Sequence, residues 1–268
     1  MSHVVLQRNC VQDMAIKLAE QSFLYQQVSD SIMRITCIGH SGFAIESDEA
    51  TLVFDFYTDH CGVLDAVLAR ARRVYVFVSH SHRDHLCHDI FDWRDRWPVQ
   101  RYVIANECRR KLSRTMALAE WPMAFLHRGD DWTDGVVDVR AFGSTDVGVS
   151  FLVGIGNRLL FHAGDFTCWQ FDGAPQSTIS KARGDFHAVL RTIAAHAPHI
   201  DVAMMPVVPN LGDDFAYGAR EFLKAVDCDL FIPMHMWGRD REATQFERYR
   251  NPDHGECLHI VEGSSIEW

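Results

Sequence analysis

The sequence of 268 residues lacks several features that would assign it to a protein class at once. Its eight cysteines include no Cys-x-x-Cys pair, which excludes the common zinc-knuckle and thioredoxin-type motifs. No apolar run approaches the roughly 18 residues of a membrane span. The Gly-x-Ser-x-Gly motif of serine hydrolases is also missing. Lys and Arg number 26 against 36 Asp and Glu, so the formal net charge is −10. A nucleic-acid backbone is therefore not expected as a partner, because phosphate neutralisation needs clustered cations.

The remaining composition is typical of a globular protein with a substantial core, since 47% of residues are hydrophobic and 23% are charged. The N-terminus shows no basic stretch followed by an apolar one, so secretion is not expected. Scattered single cysteines then predict reduced thiols and a cytoplasmic location. Residues 1–32 have roughly helical spacing and are interpreted as an N-terminal appendage, and residues 33–268 as one domain.

The most informative stretch is a short apolar strand that delivers four metal-capable side chains. Val74–Val78 is rich in β-branched and aromatic residues, as in a buried strand, and it is followed by His80, His82, Asp84 and His85. Side chains alternate along an extended backbone, so His80 and His82 point to the same side. Imidazole and carboxylate at this density predict a transition-metal site.

Three further strands end in a potential ligand. Asp55 follows a strand pattern at 52–54, Asp165 follows one at 158–162, and His235 follows one at 230–233. Strand ends collected along one sheet edge build a common site, so Asp165 and His235 are expected to be ligands. Asp55 is expected to orient a ligating histidine, because such histidines need an acceptor for their other ring nitrogen.

Periodicity and turn residues predict the secondary structure as an alternation of short strands and helices. Strands are predicted over 34–38, 42–46, 51–54, 74–78, 101–104, 136–142, 148–153, 158–162, 202–206 and 230–233, and a closing hairpin over 259–262 and 265–268. Helices are predicted over 64–72, 107–120 (with Asn106 as N-cap), 185–195 (with Asp185 as cap), 215–226 and 242–249. This pattern favours an α/β (α+β) domain of two sheets sandwiched by helices.

The His80-x-His82-x-Asp84-His85 pattern resembles the second motif of the metallo-β-lactamase superfamily. Asp55, Asp165 and His235 occupy places similar to its other acidic and histidine motifs. The stretch from Ile38 to Phe43, Ile-Gly-His-Ser-Gly-Phe, resembles the opening of the ascorbate-6-phosphate-lactonase-like and NAPE-phospholipase-D-like branches. The resemblance implies a four-layer αββα sandwich with a binuclear metal site at one sheet edge. His40, within this opening, is expected to contact substrate or a ligand, and a purely structural role stays equally open.

Between the central motif and Asp165 the superfamily usually supplies another histidine to its first metal, and the corresponding stretch here, residues 142–151, contains no histidine. It contains Asp146 instead. Asp146 either completes a first set of His80, His82, Asp146 and Asp165, or simply turns a hairpin. The resemblance assigns Asp84, His85, Asp165 and His235 to the second ion. A carboxylate in place of an imidazole favours a harder ion, so manganese or iron stand beside zinc as candidates.

These residues predict an enzyme that hydrolyses with a metal-activated water. Two divalent ions, zinc in the first place, would act on a small anionic ester, lactone or phosphodiester, with Asp84 accepting or relaying the proton of the water. Two alternatives stay open, a redox di-iron or dioxygenase-type protein and a degenerate metal-binding protein without activity. No membrane span is expected, and an oligomer is not excluded.

Overall fold

The computed structural model describes residues 32–239, 241, 245–246 and 255–268. The appendage predicted for residues 1–32 lies outside the described residues except for Ile32, and so does most of the helix predicted over 242–249. Met33–Trp268 form one compact unit. The boundary at residue 32 stays a prediction.

Two seven-stranded mixed sheets form the middle of this unit. The first sheet contains β1 Arg34–Gly39, β2 Gly42–Glu46, β3 Thr51–Phe54, β4 Val74–Val78, β5 Val99–Ala105, β6 Met123–Leu126 and β14 Ser265–Glu267. The second contains β7 Asp131–Thr133, β8 Val137–Gly143, β9 Val149–Ile155, β10 Arg158–His162, β11 His199–Pro206, β12 Asp227–Met234 and β13 Glu256–Cys257. The strand orders are β14-β1-β2-β3-β4-β5-β6 and β13-β12-β11-β10-β9-β8-β7.

Each sheet is half antiparallel and half parallel. Strands β3 to β6 of the first sheet and β10 to β13 of the second pair in parallel, and the other neighbours are antiparallel. The helices complete the predicted four-layer αββα sandwich. They are α1 Leu64–Arg70, α2 Arg109–Leu112, α3 Gln176–His196 and α4 Tyr217–Ala225. Among the described residues, no helix is both long and apolar enough to cross a membrane.

Alternating side chains of the central strands fill two layers of core. Phe77 of β4 meets Phe151 of β9 with ring centroids 5.5 Å apart, and these contacts join the two sheets. On β10, Phe161 stacks on Phe222 of α4, whereas the next residue, His162, stacks on Phe54 of the first sheet. Both faces of the sheets are therefore covered, which explains why β4 is apolar at every position.

The prediction of one helix over 107–120 is wrong. Helix α2 has four residues, and short 3₁₀ turns flank it. Asn106 is not the N-cap of α2, because it is the first residue of a 3₁₀ turn and Cys108 occupies the N-cap position of the helix. Ser113 and Thr115 each donate a side-chain hydrogen bond to a carbonyl three residues earlier, and such local bonds compete with helix continuation.

Two other predictions are corrected at element ends. Asp185 does not cap a helix, because α3 begins at Gln176 and Asp185 lies inside it, paired with Lys181 one turn earlier. The closing hairpin does not form either. Ser265–Glu267 pairs with β1, whereas Glu256–Cys257 pairs with β12 of the other sheet. Alternation identifies a strand but not its partner.

Candidate metal centre

The residues predicted to hold metal follow the carboxyl ends of strands in both sheets. They come after β1, β3, β4, β8, β10 and β12, and all of these strands except β1 and β8 take part in parallel pairs. Parallel strands present their carboxyl ends at the same edge of a sheet. The edges of the two sheets meet here, and the predicted side chains come together: His40, Asp55, His80, His82, Asp84, His85, Asp146, Asp165 and His235.

Two imidazoles and two carboxylates form the first cluster. The Nε2 atom of His80 lies 3.0 Å from Nδ1 of His82 and 3.5 Å from Oδ2 of Asp165. Oδ2 of Asp146 lies 3.5 Å from Nδ1 of His82. The donor atoms of all four residues are within 4.8 Å of one another. The side chains of His82 and Asp146 are 50% and 38% exposed, so this cluster opens to solvent.

The second cluster is buried and richer in histidine. It brings together His40, Asp84, His85 and His235, again with donor atoms within 4.8 Å of one another. Oδ1 of Asp165 lies 3.1 Å from Nε2 of His85 and 3.2 Å from Nε2 of His235. Asp165 thus directs one oxygen to each cluster, which is the geometry expected of a bridging carboxylate.

Several buried polar atoms in the second cluster have no hydrogen-bond partner. His85 Nε2, Asp165 Oδ1 and both ring nitrogens of His235 are in this state, since their short contacts lack hydrogen-bond geometry. An unsatisfied buried polar group costs about 1–3 kcal/mol. Coordination of a cation would satisfy all of these atoms at once. The donor set therefore fits a divalent transition metal, which binds imidazole nitrogen and carboxylate oxygen.

Asp55 supports the centre without facing either cluster. It is fully buried and accepts hydrogen bonds from the Ser79 backbone N–H at 2.7 Å, the Ser79 hydroxyl at 2.5 Å and Nδ1 of His85 at 2.7 Å. Burial would raise the pKa of Asp55, but the charges of His85 and His162 more than offset it, so the pKa is lowered. An ionised Asp55 fixes the His85 tautomer that leaves Nε2 directed to the clusters.

The histidines titrate differently according to their neighbours. Burial, followed by the charge of His85, lowers the pKa of His80 to about 4, so its imidazole is neutral at pH 7 and can bind metal. Burial also lowers the pKa of His85, but Asp55 and Asp165 outweigh it and raise the pKa to about 10. The carboxylates thus produce a field that favours a cation at this position.

Asp55→Asn should weaken metal binding by about 10–100-fold, because an amide cannot accept from Ser79 and His85 in the same way. Chelator competition with zinc on the purified protein measures the change. Asp134→Asn is the matched control, since Asp134 accepts a hydrogen bond from Tyr75 outside both clusters. Equal zinc affinity of Asp55→Asn and wild type would refute the positioning role.

The loop that carries His80 and His82 is held from two sides. Glu107 accepts hydrogen bonds from the backbone N–H of Ser81 at 2.5 Å and from its hydroxyl at 2.9 Å, and Lys111 donates to the Ser81 carbonyl at 2.6 Å. The opposite side packs against Gly148 and Gly164. None of these residues was predicted from the sequence, because neither a glutamate nor a glycine carries a motif at that distance along the chain.

Backbone strain is concentrated at the centre. Among the described residues, the non-glycine residues with positive φ are His40, Asp55, His235 and Trp237, at 53°, 41°, 65° and 54°. Such conformations cost of order 1–3 kcal/mol each and persist where the surroundings impose them. All four lie in or beside the two clusters, which supports a functional site there.

Exposed apolar side chains surround the clusters. Trp237 is 52% exposed, and its ring lies 4.1 Å from that of His40. Val147 follows Asp146, and the exposed Phe171 stacks on Trp169, whose Nε1 donates to the Asp165 carbonyl at 3.0 Å. We call Val147, Trp169, Phe171 and Trp237 the apolar rim.

Comparison with known proteins adds independent observations. No family model matches the chain. The chain is 27% identical over 224 residues to a metal-dependent hydrolase of Desulforamulus reducens, which covers 76% of this chain and 84% of the relative.

Solved structures share the fold. A metallo hydrolase of Ignicoccus hospitalis superposes with a TM-score of 0.63 at 15% identity, covering 89% of this chain and 99% of that one. The metallo-β-lactamase fold protein YhfI of Bacillus subtilis gives 0.61 at 13% identity, covering 89% and 100%. CmlA, a diiron β-hydroxylase of Streptomyces venezuelae, gives 0.60 at 14% identity, but the match covers 90% of this chain and only 54% of that chain.

Proposed function

We propose that this chain, which shares its fold with metallo-β-lactamase fold proteins and is similar to a metal-dependent hydrolase, is a member of the metallo-β-lactamase superfamily. We propose further that it hydrolyses an anionic ester, lactone or phosphodiester with two divalent ions. The observation that carries the proposal is the bridging position of Asp165 between two clusters of metal-capable side chains. His80, His82, Asp146 and Asp165 would hold one ion, and Asp84, His85, Asp165 and His235 the other. Zinc is the first candidate, with manganese or iron as alternatives.

When bound, such ions lower the pKa of a water molecule toward neutrality and polarise the oxygen under attack. The residues of the chain supply the rest. Burial would raise the pKa of Asp84, but the close approach of His40 Nε2, 3.2 Å from Oδ2, and the charge of His85 keep that pKa below the usual range. Asp84 is therefore ionised at neutral pH. It is also the more exposed carboxylate of the second cluster, so its Oδ2 is placed to accept a proton at the mouth of the site.

The apolar rim supports a refinement of the substrate. Three of its side chains are exposed to solvent around a centre that is otherwise polar and charged. Exposed apolar groups clustered at a site mark a binding surface. We expect the substrate to carry an apolar group next to the bond that is hydrolysed, and we expect the enzyme to act on a small molecule rather than on nucleic acid.

Hydrolysis is tested with metal-free protein that is then loaded with zinc or manganese. Wild type should gain activity toward bis(p-nitrophenyl) phosphate, p-nitrophenyl butyrate or a lactone, with lower KM for the more apolar members of each series. His82→Ala should lose more than about 100-fold of this activity. His88→Ala is the control, since His88 is an exposed histidine outside both clusters. A fully loaded wild type that hydrolyses no member of the panel would overturn the proposal.

Two observations favour the redox alternative. One is the carboxylate-rich first cluster, and the other is the fold that the chain shares with CmlA. Hydrolysis is better supported, because the relative with the higher sequence identity is a hydrolase. Metal analysis of protein purified without added metal separates the two. Iron together with dioxygen consumption would replace the hydrolase proposal. Less than one metal equivalent and no activity would favour the degenerate alternative.

We also place the protein in the cytoplasm as part of this proposal. The scattered single cysteines of the sequence support this location, because reduced thiols are typical of it.

A further inference from the structure

We propose that His40 is a metal ligand of the second cluster, and that the two ions of the centre differ in kind. With His40, the second cluster offers three imidazoles, Asp84 and one oxygen of the shared Asp165, whereas the first offers two imidazoles, Asp146 and the other oxygen of Asp165. The histidine missing from the first cluster is thus matched by an additional one in the second. This inference rests on the proposed function only in assuming that the centre binds divalent ions.

The state of the His40 side chain points to coordination. It is 6% exposed, yet neither Nδ1 nor Nε2 has a hydrogen-bond partner. Nε2 lies 3.2 Å from Oδ2 of Asp84, without hydrogen-bond geometry, and shares with it a space that also contains donor atoms of His85 and His235. A buried histidine that serves only packing would direct at least one ring nitrogen to a protein acceptor or donor. His162 does so, since its Nε2 binds the Ser41 carbonyl at 2.9 Å.

Three constraints hold His40 in this place. Its backbone has the left-handed φ of 53°. Its carbonyl accepts a hydrogen bond from the His235 backbone N–H at 3.2 Å, which ties the loop after β1 to the loop after β12. Its ring lies between those of His235 and Trp237, each with a centroid 4.1 Å away. A strained backbone and a fixed ring are what a preorganised ligand requires.

The two clusters differ in donor type and in exposure. The second has more imidazoles than carboxylates and is less exposed than the first, which suits zinc, a borderline-soft ion that binds nitrogen well. The first has equal numbers of nitrogen and oxygen donors, and its His82 and Asp146 are open to solvent. Oxygen donors and retained water suit a harder ion such as manganese. We therefore expect one tightly held zinc and one exchangeable, harder ion.

The test compares metal binding in wild type, His40→Ala, His40→Phe and Asp146→Ala. His40→Phe keeps a ring between His235 and Trp237 but has no nitrogen, and circular dichroism confirms that each variant is folded. Zinc affinity is measured by chelator competition, and stoichiometry by mass spectrometry after dialysis against zinc and manganese together. The cobalt-loaded proteins give a visible spectrum that reports nitrogen ligation.

Both His40 variants should lose the tight zinc, with an affinity lower by more than about 100-fold, and should change the cobalt spectrum. Asp146→Ala should keep the tight zinc and lose the second, exchangeable ion. Wild-type zinc affinity and an unchanged cobalt spectrum in His40→Phe would overturn the assignment, and so would two ions of equal affinity and preference in wild type. If wild type binds the two ions as described but hydrolyses nothing, the proposed function fails and the assignment of His40 stands.

Discussion

Asp165→Asn should reduce turnover by more than about 100-fold and remove at least one of the two ions. Its two carboxylate oxygens face different clusters, Oδ2 toward His80 at 3.5 Å and Oδ1 toward His85 at 3.1 Å. An amide of the same size has only one oxygen and no charge, so it cannot serve both sides. Metal content after dialysis and kcat/KM on a p-nitrophenyl ester measure the two effects.

The same substitution should leave the metal-free fold intact. Removal of the Asp165 charge still leaves His85 paired with Asp55 at 2.7 Å, so this imidazole keeps a carboxylate partner when no ion is bound. Thermal unfolding in the presence of a chelator checks this. Asp172→Asn is the control, because Asp172 is an exposed carboxylate that binds the Asp213 backbone N–H outside both clusters. Wild-type metal content in Asp165→Asn would refute the bridging assignment.

Gly148→Ala should destabilise the protein by about 2–6 kcal/mol and also abolish metal binding. A Cβ at Gly148 would lie 2.0 Å from the Ser79 carbonyl oxygen and 2.5 Å from Cβ of His80, and neither atom belongs to a flexible side-chain end. Overpacking costs about 1–3 kcal/mol, and the left-handed φ of 78° adds a similar amount for a residue with a side chain. Relief of the contact requires that His80 move. Urea unfolding and metal analysis measure both consequences.

Gly62→Ala separates the two contributions. Gly62 has a similar φ of 67°, but no atom lies within 4 Å of the position of its Cβ. This variant should be destabilised only by the cost of a side chain at a left-handed φ, about 1 kcal/mol, and it should keep its metal. If the two alanine variants lost the same free energy of unfolding, the contact with the loop of His80 would not contribute to the effect of Gly148→Ala.

Strands and the central motif were predictable from the sequence because both are local properties. The apolar run at Val74–Val78 and the alternation at β9 and β10 fix a strand and its buried face without reference to the rest of the chain. The expectation that Asp55 lies beside a histidine rests instead on the chemistry of ligating histidines, and the parallel pairing of β3 with β4, which is not a local property, brings Asp55 to His85. Elements whose local signals were weak or contradictory, such as the helix predicted over 107–120, were predicted wrongly.

The remainder of the centre depends on contacts that connect distant parts of the chain. Glu107 binds Ser81 across 26 residues, and His40 approaches His235 through a loop contact that no periodicity encodes. Asp146 could be read from the sequence as a ligand or as a turn residue. The structure places its Oδ2 beside His82, and whether it binds an ion stays a prediction. Tertiary packing decides such positions, and a single sequence does not display it.

The centre lies where the edges of the two sheets meet, so a metal ion bound there would connect the two halves of the domain. His85 extends from the first sheet and His235 from the second, so an ion shared by these two connects chain segments about 150 residues apart in sequence. A ligand that binds only the folded state adds about 2.7 kcal/mol of stability at 100 times its dissociation constant. Supply of metal would therefore regulate the lifetime of this protein as well as its chemistry.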